Sequence, residues 1–171
     1  MSHLCCTKKI IDLLGVMPNQ YEAENDTSVL GSWYANLFLI ERKKCLVFVN
    51  SRTLFCFTVI NQAKKDIEQI SNMFRRNLLK RLHAESISPD IIARIMKDHE
   101  KIRICKTSDR RTLGSMNEFI FHFRIICEME EGLANIDIDK VNTQIAGTIM
   151  KLNNEYIRPR DMLIKIIIDH L

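Results

Sequence analysis

Residues 35–60 hold three apolar runs, ANLFLI, CLVFV and TLFCFTVI, separated by the charged stretch ERKK and the polar stretch NSR. Short apolar runs rich in β-branched and aromatic residues, punctuated by turn residues, predict a three-stranded antiparallel meander. Its first turn carries Arg42, Lys43 and Lys44 into water. Both alternate sets along these strands are apolar: Leu37 and Leu39 with Phe38 and Ile40, then Phe55, Phe57 and Val59 with Leu54, Cys56 and Ile60. A sheet with one wet face alternates apolar with polar, so this sheet is expected to be covered on both sides, by helices or by another subunit.

Around the meander, residues 2–6 read as a small entry strand, followed by a short helix capped by Thr7 and closed by Gly15. Residues 16–32 show no period and read as a loop, a candidate lid and equally plain surface. Ile67, Ile70, Phe74, Leu78 and Leu82 recur at three- and four-residue steps, which predicts a helix over residues 63–84 with Arg75, Arg76, Lys80 and Arg81 largely off the stripe. Ser88 and Pro89 open the next helix, with Ile91, Ile92, Ile95 and Met96 on its buried side. KIRICK, residues 101–106, alternates Ile102 and Ile104 with basic residues and reads as a half-exposed fourth strand, followed by the loop TSDRRTLG. Ser115 and Glu118 have the spacing of a capping box, so a helix is expected to start there, carry Phe119, Phe123, Ile126 and Cys127 inward and stop near Gly132. A further helix is read over residues 139–156, broken by Pro159, and a short one over residues 161–171. The expected fold is α+β: an antiparallel sheet of about four to five strands packed by four or five helices, in a single domain spanning residues 1–171.

Composition removes several classes of function. No stretch approaches the roughly 20 apolar residues that span a bilayer. The lysines of MSHLCCTKK follow a short apolar pair rather than precede a long one, the wrong order for a secretory signal, so the chain reads as cytoplasmic without a membrane partner. The six cysteines include no C-x-x-C and no zinc spacing, and read as buried free thiols. Cys5 and Cys6 are adjacent in a strand, so their side chains are expected on opposite faces. The histidines at 3, 83, 99, 122 and 170 are scattered; Glu118 and His122 share a helical face, but two groups do not make a metal site. No metal and no cofactor is expected. Trp33 reads as a packing anchor at the entry to the meander.

Charge is unevenly spread. Residues 41–111 hold 17 Lys and Arg against 8 Asp and Glu, while the rest of the chain holds 8 against 13. A basic middle suits a nucleic acid or an acidic protein, and it also suits ordinary solvated helix faces. Arg110 and Arg111, with Gly114 and Ser115 ahead of the expected helix, form a candidate anion site, although neither the P-loop nor the dinucleotide fingerprint is present.

The segment LGSWYANLFLIERKKCLVFVNSRTLFCFTVI and the later KTSDRRTLGSMNEF resemble a bacterial family of unknown function in which W-x-A-N, R-K-K-C, V-N-x-x-T-L-F and L-G-S-M-N recur in that order. The resemblance spans most of residues 1–130, as a family-like core, and leaves residues 133–171 as a C-terminal helical extension. It implies a single α+β domain, brings no activity with it, and draws attention to Asn36, Arg42, Asn50, Arg52, Ser115 and Asn117. Those positions equally suit structure, Asn50 in a tight turn and Ser115 in a cap.

Three readings of function follow. The first is a small non-enzymatic binding or regulatory module whose basic surface, including Arg42, Lys43 and Lys44, meets a nucleic acid or an acidic protein. The second is an enzyme acting on a phosphorylated small molecule held by Arg110, Arg111 and Ser115. The third is a homodimer formed through the sheet faces or residues 161–171. Convergence of Asn36, Arg52, Arg111 and Asn117 on one concavity would mark a site.

Overall fold

The computed structural model describes residues 2–17 and 26–170. The meander is present, with β2 at Trp33–Ile40, β3 at Lys43–Asn50 and β4 at Cys56–Val59, each pair antiparallel. The entry strand β1, Ser2–Cys6, and β5, Ile102–Lys106, complete a five-stranded sheet of order β4-β3-β2-β1-β5. β1 pairs in parallel with both β2 and β5. The sheet is therefore mixed, where an antiparallel one was expected. The cause is the crossover α1, Lys8–Leu14, which returns the chain to the same end of the sheet before β2 begins.

Two apolar layers sandwich the sheet. Leu4, Trp33, Leu46, Phe48 and Phe57 face α1, α3 (Ile70–Ala84), α4 (Pro89–Asp98) and α7 (Pro159–His170). Cys5, Tyr34, Phe38, Val47 and Cys105 face α5 (Arg110–Met129) and α6 (Ile138–Ala146). Both faces are thus covered by helices of the same chain, as the double apolar pattern required, and Cys5 and Cys6 fall in opposite layers. All six cysteines are free and buried. Trp33 is fully buried, its ring edge against Phe74 at 5.1 Å.

Thr7 and Gly15 bound α1 as expected, Gly15 at φ 63°, but the Thr7 hydroxyl donates to Asn36 Oδ1 at 3.0 Å rather than capping the helix. The helix expected over 63–84 is two: α2 is Lys64–Ile67, and Gln69, at φ −104° and ψ 36°, separates it from α3. Its apolar stripe is buried as read. α5 starts at Arg110, not at Ser115. Asp109 is its cap, accepting from the Arg111 N–H at 2.9 Å, which leaves Ser115 buried in the second turn and no capping box to form with Glu118.

The helix expected over 139–156 ends at Ala146. A hairpin follows, β6 at Met150–Leu152 and β7 at Glu155–Ile157, turned by Asn153 and Asn154 at φ 50° and 67°. Met150 and Leu152 are buried while Ile149 stands 57% exposed, so a two-residue period replaces the helical one there. Pro159 begins α7 instead of merely ending its predecessor. Leu133, Val141, Ile145 and Leu152 join one apolar layer, and Leu163 and Ile167 the other. The described residues thus form seven α-helices, a 3-10 turn at Leu133–Asn135 and two sheets, with no helix long and apolar enough to cross a membrane.

A candidate anion-binding cleft

At the end of the sheet where β2 begins and β3 finishes, four segments enclose a cleft of about 940 Å³. Residues 26–32 form one wall and the β3–β4 turn, with Ser51 and Arg52, a second. The start of α5 contributes Ser108, Asp109 and Arg111, the tip of the β6–β7 hairpin contributes Leu152 and Asn153, and Tyr34 lies at the base.

Each wall is held by its own polar network. Asp26 is buried and takes the His3 N–H at 2.7 Å, the Ser28 N–H at 2.8 Å, the Ser28 hydroxyl, and the Ser32 hydroxyl at 3.3 Å. Its charge is spent tying residues 26–32 to β1. Asn50, fully buried, is the hub of the second wall. Its Oδ1 accepts from the N–H groups of Arg52 and Thr53 at 3.1 and 3.0 Å and from the Thr53 hydroxyl at 3.0 Å, while Nδ2 donates to the Leu30 carbonyl at 2.9 Å. Those bonds join the turn to the loop across from it.

Arg52 then lies over Gly31, whose φ of 72° suits glycine and whose missing side chain lets the arginine lie this close: a Cβ there would stand 2.6 Å from Arg52 Nε. The Arg52 guanidinium donates from Nη1 to the Val29 carbonyl at 3.1 Å. Arg111, from the opposite side, donates to Asn153 Oδ1, and its Nη2 stands 3.5 Å from both the Ser51 carbonyl and Asp109 Oδ2.

Two groups in the cleft have displaced acidities. Partial burial disfavours the Asp109 carboxylate, but hydrogen bonds from the Thr112 hydroxyl and from backbone N–H groups, with the Arg111 charge, outweigh it and hold the carboxyl below its ordinary value. Burial pushes the Tyr34 phenol up, against hydrogen bonds at Ser108 and Asp109 that pull the other way. Asp109 is therefore a charged helix cap and Tyr34 a neutral phenol at neutral pH.

Of the residues singled out from the sequence, the fold brings Arg52 and Arg111 together here and packs Asn50 directly behind them. Asn36 is tied to Thr7, outside the lining. Arg110 is exposed one residue before Arg111, Ser115 is buried further along α5, and Asn117 is exposed on that helix. Arg42, Lys43 and Lys44 sit at the other end of β2 and β3, about 25 Å away at 3.3 Å per strand residue. On α3, Lys80 pairs with Asp139 at 2.8 Å and buried Arg81 with Glu85 at 2.9 Å. Of the candidate lid, residues 26–32 form the tethered wall, and residues 18–25 lie outside the described residues. Asp26, Ser32, Tyr34, Ser108 and Asn153 were not singled out from the sequence. Asp109 alone carried a local signal, an acid one residue before a helical start. Among the described residues no group of three or more His, Cys, Asp or Glu could hold a metal ion.

Behind the first wall, His99 is buried against Phe74, its Nδ1 2.8 Å from the Ile95 carbonyl, and the neighbouring Asp98 accepts the Val29 N–H at 2.9 Å. Burial lowers the imidazole below its ordinary value of 6.5, more than Asp26 and Asp98 raise it. The unfolded chain therefore binds the extra proton first. Stability contributed by neutral His99 is complete above that ordinary value and is lost as pH falls toward the folded value, at up to about 1.4 kcal/mol per pH unit. Urea midpoints at pH 7.5 and 5.5 check this; the His99→Gln variant should lose that part of the slope, and an unchanged slope would count against it.

The chain belongs to the family described as Domain of unknown function (DUF6933), whose profile matches residues 3–162. No curated protein and no solved structure matches it.

Proposed function

We propose that this protein binds a small phosphorylated molecule in the cleft between Arg52 and Arg111. The observation that carries the reading is the convergence of these two guanidinium groups, far apart in sequence, on one cleft of about 940 Å³. That volume lies in the range of small-molecule sites. Asp26 and Asp109 also line the cleft and offset part of its positive charge; both are held by backbone and hydroxyl donors of their own walls, which leaves the two guanidinium groups as the cationic donors of the site. Arginine is the residue suited to the task, because its planar fork matches phosphate oxygens and stays charged. Lys80 and Arg81 of α3 are taken up in ion pairs, and Arg42, Lys43 and Lys44 lie at the far end of the sheet, so Arg52 and Arg111 are the cations that share this cleft.

Thermal denaturation with a panel of phosphorylated metabolites tests the reading. A ligand at a hundred times its Kd should stabilise the protein by about 2.7 kcal/mol and raise Tm by roughly 5–10 °C. Arg52→Ala and Arg111→Ala should each weaken binding roughly 10- to 100-fold, the loss expected for a hydrogen bond to a charged group. A panel that leaves Tm unmoved, or binding that survives both substitutions, refutes it.

A further inference from the structure

Resting on that reading, we infer that the ligand is a phosphorylated polyol or sugar, carrying a single phosphate beside a chain or ring of hydroxyl groups. Two guanidinium forks can both donate to the oxygens of one phosphate monoester, and the neighbouring carboxylates of Asp26 and Asp109 limit the site to a single phosphate. The volume greatly exceeds what one phosphate fills, so most of the ligand meets the remaining lining. The polar side chains available in that remainder are Ser51, Ser108 and Asn153, with the part-exposed carboxylate of Asp109. Serine and asparagine both donate and accept, which suits hydroxyl groups, and a carboxylate accepts from them.

The same lining disfavours the other phosphorylated classes. Among the described lining residues Tyr34 is the one aromatic, and at 1% exposure its ring offers no face for a base to stack on. Leu152, the one leucine among the described lining residues, is 4% exposed, so an acyl or other apolar tail gains little by entering. Asp26 and Asp109 would repel a second and third phosphate. A nucleoside triphosphate fails on both counts.

Isothermal titration of the full chain with inorganic phosphate, n-propyl phosphate, glycerol 3-phosphate, glucose 6-phosphate and AMP separates the possibilities. A hydroxylated phosphate should bind about tenfold or more tightly than n-propyl phosphate or inorganic phosphate, because a site built for hydroxyl groups leaves its polar atoms unpaired against an analogue without them. Ser108→Ala, at an exposed position, should narrow that gap. Equal affinities for the hydroxylated and propyl compounds, or tightest binding of AMP, overturn this inference while the anion site stands. Binding of none of the five removes the anion site and the inference together.

Discussion

Asn50→Ala should unfold the protein about 3–5 kcal/mol more easily and abolish ligand binding in the cleft at the same time. One side chain closes four hydrogen bonds there, three received at Oδ1 and one donated by Nδ2. Alanine leaves the Thr53 N–H and the Leu30 carbonyl without these partners in a buried setting, and each such loss costs about 1–3 kcal/mol. The Arg52 N–H loses its acceptor too, so the turn no longer holds the arginine over Gly31. Asn50→Asp separates the two roles. It preserves the acceptor that shapes the turn but sets a buried carboxylate oxygen against the Leu30 carbonyl, so it should cost at least as much stability as alanine while keeping the turn that carries Arg52. Urea denaturation of both variants, beside titration with a phosphorylated probe, reads stability and site together. A loss below about 1 kcal/mol for the alanine variant would show that the hub is dispensable.

Phe74→Ala should cost a similar amount, about 3–5 kcal/mol, while acting through packing alone. Phe74 is buried at the centre of an aromatic cluster, with ring centroids 5.1 Å from Trp33, 5.5 Å from Phe48, 6.0 Å from Phe57 and 5.7 Å from His99. Truncation removes apolar burial and leaves a cavity whose walls are strands on one side and α3 and α4 on the other. For a chain of this size Tm should fall by roughly 8–16 °C, measured by circular dichroism. Phe74→Leu, which retains much of the volume, should recover about half of the loss. Because Phe74 is not among the residues that line the cleft, its loss should leave ligand affinity in the remaining folded protein nearly unchanged, the opposite of Asn50→Ala.

The elements that were legible in the sequence are those whose signal is local and repeated. Phe74, Leu78 and Leu82 repeat at helical spacing and are buried, and the double apolar pattern of residues 35–60 told that both faces of the sheet are covered. Gly15 closed a helix by backbone chemistry that needs no tertiary partner, while Thr7 stands at its start but gives its hydroxyl to Asn36. Where an element is too short to display a period, the reading failed. Three residues in each of β6 and β7 cannot show alternation, and Val141 and Ile145 continue into a spacing that a helix also satisfies. The start of α5 was misplaced because Ser115 and Glu118 match a capping box, while the nearer cap, Asp109, has only one residue to announce it.

Of the cleft, Arg52, Arg111 and Asn50 were visible as polar positions in the sequence, and nothing in their spacing said that they meet. Ser108, Tyr34 and Asn153 are ordinary residues in their own neighbourhoods. What the amino-acid order determined alone is the identity and periodicity of the elements, since helix and strand preferences act over a few residues. Strand order, the parallel placement of β1 between β2 and β5, and the meeting of residues 26–32, Arg52, Arg111 and Asn153 were decided by tertiary structure. Those meetings join segments up to about 125 residues apart, and they form because burying two apolar layers at once leaves the chain few ways to close.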